Sequence, residues 1–172
     1  MHAIIHDTVG LIHFLSALLA LVTGAFVLYL PKGSSTHRRI GYVYAVTMIV
    51  MLITAFLIYA LFGTFGPFHW LAVVSTLTLI GGMVPVLLRR PAANYLLYHF
   101  SFMYWSVVGL YLALFGELAA HLPELMSVER DRSLPLLIGI GVAAAVFAVS
   151  AQLFWNRKKH EWSARYRRPV AS

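Results

Sequence analysis

Residues 4–30 read IIHDTVGLIHFLSALLALVTGAFVLYL, an apolar run longer than the roughly 20 residues that carry a helix across a bilayer. The run is too long, and too weakly bounded by small residues, to be a cleavable signal peptide, so it reads as a retained helix. Working outward, Pro31-Lys32-Gly33-Ser34-Ser35 closes it with breaker residues, and Thr36 is the expected N-cap of the next helix. Further spans are expected at about His37–Phe62, Phe68–Leu88, Ala92–Ala120 and Leu134–Trp155. Gly63-Thr64-Phe65-Gly66-Pro67 and Arg89-Arg90-Pro91 form short connections, and His121–Arg132 is the one substantial loop. Gly81, Gly82 and Pro85 are expected to kink the third span. The fifth span is rich in Gly and Ala, which suits it to packing.

Composition agrees with this reading. The chain has 172 residues, 60% of them hydrophobic and 11% charged, and cannot present a polar exterior all round. The fold class is therefore an all-α integral membrane bundle of five transmembrane helices, with residues 1–156 as the membrane domain and 157–172 as a basic tail. With no cysteine in the chain, disulfides, thiolate catalysis, iron–sulfur clusters and Cys-ligated zinc are excluded. The net charge of +7 is not a nucleic-acid signature here, because the basic residues cluster beside apolar spans. Lys32, Arg38 and Arg39 follow span one, Arg89 and Arg90 follow span three, and Arg157, Lys158, Lys159, Arg165, Arg167 and Arg168 follow span five. By the positive-inside rule the N-terminus is expected to face outward and the tail to be cytoplasmic. The tail also suits anionic headgroups. Trp70, Trp105, Trp155 and Trp162 lie near span ends, as an interfacial belt does.

Histidine is the residue type that points to function, because an ionisable side chain in hydrocarbon requires a ligand, a partner or water. His37 and His99 fall toward the cytoplasmic side, with His99 about 10 Å deep at the helical rise. His2, His6, His13, His69, Glu117 and His121 fall toward the outer side. His2, His6 and His13 share one helical stripe, and Glu117 and His121 stand one turn apart. Imidazole and carboxylate suit zinc or another transition ion, so His13, His69, Glu117 and His121 form a candidate outer metal set for a metal-dependent hydrolase or a metal handler. Histidines on two helices also suit b-type haem, with His37 and His99 as one axial pair and His13 and His69 as a second. Arg38 and Arg39 are placed for haem propionates, and Met103, four residues after His99, is a candidate thioether ligand. The leading expectation is haem electron transfer within or across the membrane, linked to quinone or a redox partner. The alternatives are the metal site and a non-catalytic assembly subunit whose histidines satisfy helix contacts. Oligomerisation fits each of them.

The run His37-Arg38-Arg39-Ile40-Gly41-Tyr42-Val43-Tyr44, with Phe68-His69-Trp70, His99-Phe100-Ser101-Phe102-Met103 and Gly109-Leu110 ahead of Glu117, resembles a family of bacterial multi-pass membrane proteins defined as a domain of unknown function. The resemblance spans roughly residues 10–120. It implies that His37, His69, His99, Met103 and Glu117 occupy motif positions. Where relatives carry basic residues around the Met, this chain has Phe100, Ser101, Tyr104 and Trp105. At the level of fold alone, the His-x-x-x-Gly helix start is similar to that of two-haem b-type membrane cytochromes.

Overall fold

The computed structural model describes residues 8–58, 63–91, 94–127 and 133–166, with the side chains of 165 and 166 left aside. His2, His6, the charged segment from Glu129 to Arg132, Arg167 and Arg168 lie outside the described residues or side chains, as does Arg165 beyond its backbone.

Five helices account for the regular structure of the described residues: α1 Thr8–Tyr29, α2 Ser35–Leu57, α3 Pro67–Leu88, α4 Tyr95–Leu125 and α5 Leu134–Tyr166. Each is long and apolar enough to cross a bilayer. The shortest, of 22 residues, is about 33 Å long against a hydrocarbon core of about 30 Å. The surface confirms the solvent: Leu18, Leu19, Phe26, Ile49, Ile53 and Val74 are all about half exposed, which suits lipid and not water.

The chain divides into two compact units, with the division at Ile80/Gly81 inside α3. In the first, α1 packs on α2. The buried residues of α1 are Ser16, Ala20, Gly24 and Val27. Three of these are small and spaced by four, which lets the α2 backbone approach closely and seats Tyr44, Met48 and Met51 in the contact. Lys32 reverses over the end of α1, and its ammonium donates to the Val27 carbonyl at 2.9 Å and to that of Leu28. These are orphan carbonyls of the last turn, where a cation is favoured. Desolvation there lowers the Lys32 pKa below the ordinary 10.5. Gly33, at φ +80°, supplies the left-handed step of the turn. The N-cap of α2 is Ser34 and not Thr36: its Oγ accepts from the His37 N–H at 3.1 Å. Ser34, Ser35 and Thr36 can all cap, and the turn brings Ser34 into place.

In the second unit α4 packs on α5. Tyr104, buried in the contact, donates its hydroxyl to the Ala151 carbonyl at 2.8 Å. Around it Phe100 and Trp155 stack at 5.6 Å, Tyr104 and Trp155 at 5.2 Å, and Trp162 meets the Phe100 ring edge-on at 4.4 Å. Trp105 approaches Trp155 at 6.0 Å. Three of the four tryptophans are thus members of a packed cluster, a tighter role than an interfacial belt.

Helix ends depart from the sequence expectation in α2, α4 and α5: α2 stops at Leu57, with Ile58 extended as its C-cap, short of the expected Phe62. α4 continues past Ala120 to Leu125, running through Pro123, and the Met126 N–H still reaches the Leu122 carbonyl. α5 continues past Trp155 to Tyr166, since nothing from Asn156 to Tyr166 breaks a helix and Lys158 pairs with Glu161 at 2.8 Å. The Gly- and Ala-rich part of α5 is also not its packed face. Nothing approaches the Cβ positions of Gly139 and Gly141, and Ala151 is the one fully buried residue among those of α5 described. Gly81, Gly82 and Pro85 all lie inside the uninterrupted span of α3.

Candidate functional site

In the first unit, His13 Nδ1 lies 3.1 Å from the Met51 carbonyl oxygen and 3.1 Å from Thr54 Oγ1. A carbonyl only accepts, so Nδ1 carries the proton. The Thr54 hydroxyl donates to the Val50 and Met51 carbonyls at 2.9 Å, which leaves its lone pairs to receive from His13. Ser16 closes the group by donating to the His13 carbonyl at 2.9 Å. A neutral imidazole protonated at Nδ1 has its basic lone pair at Nε2.

His69 has the opposite tautomer. It occupies the third position of α3 after Gly66, with Pro67 at the first, and its Nδ1 accepts the Gly66 N–H at 3.1 Å. This is the return arm of a capping box, made by an imidazole instead of Glu or Gln. The lone pair at Nδ1 is therefore engaged and the proton sits on Nε2. His69 is 4% exposed, and Phe65 covers its ring at 4.9 Å. The structure thus gives this sequence-predicted ligand a helix-capping role. The Gly66-Pro67-Phe68-His69 pattern carries the signal, with Pro at the first helical position and an acceptor at the third. His37 occupies the same third position in α2, where its own N–H is capped, with its Nδ1 buried. Arg38 and Arg39 beside it are exposed.

In the second unit, His99 Nδ1 lies 2.7 Å from the Gly82 carbonyl oxygen. Again a carbonyl fixes the proton on Nδ1 and the lone pair on Nε2. Gly82 lies in the turn of α3 ahead of Pro85, and the second lone pair of its carbonyl lets it accept a side-chain donor beside the helical ladder. Close approach requires Gly82. A Cβ there would stand 2.5 Å from Met103 Sδ and 3.3 Å from the Met103 nitrogen. At Gly81 a Cβ would meet the Phe102 ring at 2.9 Å. Met103 is 5% exposed, and its thioether fills the groove over Gly82.

Glu117 and His121 are brought together one turn apart on α4, with Nε2 3.3 Å from the carboxylate and both side chains partly exposed. His13 and His69 belong to the first unit, and Glu117 and His121 to the second. Among the described residues, no three or more His, Asp or Glu side chains are grouped to hold a metal ion.

Five helices apolar and long enough to cross a membrane, with His13 and His99 tied to backbone carbonyls, define the class: an all-helical integral membrane protein. The chain belongs to the DUF2306 family, described as predicted membrane proteins, whose profile matches residues 10–155. The match covers α1 to α4 and α5 as far as Trp155. Neither the curated proteins nor the solved structures contain a match to the chain.

Proposed function

We propose that this membrane protein binds b-type haem and passes electrons within or across the bilayer, in exchange with quinone or a redox partner, and that His99 and His13 are iron ligands. The observation that carries the proposal is the 2.7 Å bond from His99 Nδ1 to the Gly82 carbonyl. Ligating histidines characteristically donate their other ring N–H to a carbonyl or carboxylate, which fixes the ring and makes the ligating nitrogen more basic. His13 repeats the arrangement on Met51 and Thr54. Haem, when bound, supplies a one-electron iron couple at membrane depth.

The chain's own part is to orient two imidazoles and hold their protons away from Nε2. On sequence grounds His37 is assigned as the ligand opposite His99, with Arg38 toward the propionates. The tautomer of His69 leaves it as a helix cap. Met103, seated over Gly82, shapes the groove behind His99. The basic clusters support an orientation with the N-terminus outside and the tail in the cytoplasm, and the family resemblance supports a bacterial inner membrane.

A second reading rests on the Glu117–His121 contact of 3.3 Å, which offers two ligands to a zinc-like ion at the partly exposed end of α4. One preparation tests both. Protein purified from iron-replete cells is expected to show a Soret band, reducible α-bands and stoichiometric iron. Colourless protein with stoichiometric zinc supports the second reading, and colourless, metal-free protein removes both.

A further inference from the structure

We infer that the basic end of the second unit is a binding surface for the headgroups of anionic phospholipids. Leu134–Trp155 is already long enough to cross the hydrocarbon, yet α5 continues as one helix to Tyr166, about 16 Å further. The contact of Trp162 with Phe100 at 4.4 Å holds this extension against the start of α4. It is anchored there, so its charges have a defined place.

Trp155 and Trp162 are two turns apart on one stripe of α5, and Lys158 and Lys159 fall on either flank of it. Arg89 and Arg90, both exposed, lie just ahead of α4 at the same end. Lys158, Lys159, Arg89 and Arg90 thus supply four basic side chains at the aromatic end of the unit, and the carboxylate beside them, Glu161, is paired with Lys158 at 2.8 Å. Aromatic rings at the acyl boundary with cations just above them are complementary to a phosphodiester whose acyl chains run down the helices. The surface is distinct from the histidine sites and does not depend on the haem reading.

The test uses the full chain reconstituted in phosphatidylcholine nanodiscs containing brominated phosphatidylglycerol or brominated phosphatidylcholine, with tryptophan quenching as the readout. Phosphatidylglycerol is expected to quench preferentially. Arg90→Gln and Lys159→Gln are each expected to reduce that preference about fivefold. Glu161→Gln, which releases Lys158, is expected to raise it, and this gain distinguishes lost charge from lost fold. Inorganic phosphate at constant ionic strength is expected to leave the preference unchanged. Equal quenching by both lipids, an unchanged preference in the variants, or competition by free phosphate overturns the inference.

Discussion

His99 and Gly82 are joined across α3 and α4 by a 2.7 Å hydrogen bond from imidazole Nδ1 to the Gly82 carbonyl. The bond ties two helices together and makes the histidine point its lone pair in one direction. His99→Asn is expected to keep the bond through its amide N–H and lose the ligand nitrogen. Its helical circular dichroism is expected to match that of the parent chain. His99→Ala is expected to lose the bond as well, at about 1 kcal/mol, and to melt earlier in detergent.

Gly82→Ala places a methyl carbon against the Met103 sulfur and backbone. Overpacking of this kind costs about 1–3 kcal/mol. Thermal melts of Gly82→Ala, Met103→Ala and the double variant are expected to show positive coupling, with the double variant more stable than the sum of the single changes. Additive losses contradict the contact.

His69→Ala removes the return arm of the α3 cap and is expected to cost about 0.5–2 kcal/mol. His69→Gln, whose side-chain oxygen can accept the Gly66 N–H, is expected to recover most of that loss. Cofactor content is expected to be unchanged in His69→Gln. A ligand at this position predicts the reverse, with cofactor lost and stability kept.

Tyr104→Phe keeps the aromatic stack with Trp155 but leaves the Ala151 carbonyl without its 2.8 Å donor. The expected cost is about 1 kcal/mol, read as an earlier melt. The tryptophan emission maximum is expected to stay where it is, since the rings stay packed.

The five spans are legible in the sequence because apolar length is a coarse and strong signal, and each expected span coincides with an observed helix. The ends are less legible. Nothing local marks Ser34 over Thr36 as the cap, and the continuation of α5 to Tyr166 depends on Trp162 packing against Phe100, a contact between distant residues. The close-packed small-residue face lies in α1 at Ser16, Ala20 and Gly24, while Gly139 and Gly141 of the Gly-rich α5 face open space. For the site, sequence shows which histidines sit in oil but not which nitrogen holds the proton. That difference separates His69 from His13 and His99, and it is set by the neighbouring backbone: an N–H from Gly66 in one case, carbonyls of Met51 and Gly82 in the others.

The most direct test of the central claim is haem content per protomer, measured from the pyridine haemochrome of purified parent protein and of His99→Asn. The account predicts haem in the parent and a clear loss in His99→Asn at unchanged helicity. Equal haem in the two proteins would contradict His99 as a ligand, and its absence from both would contradict the haem reading as a whole.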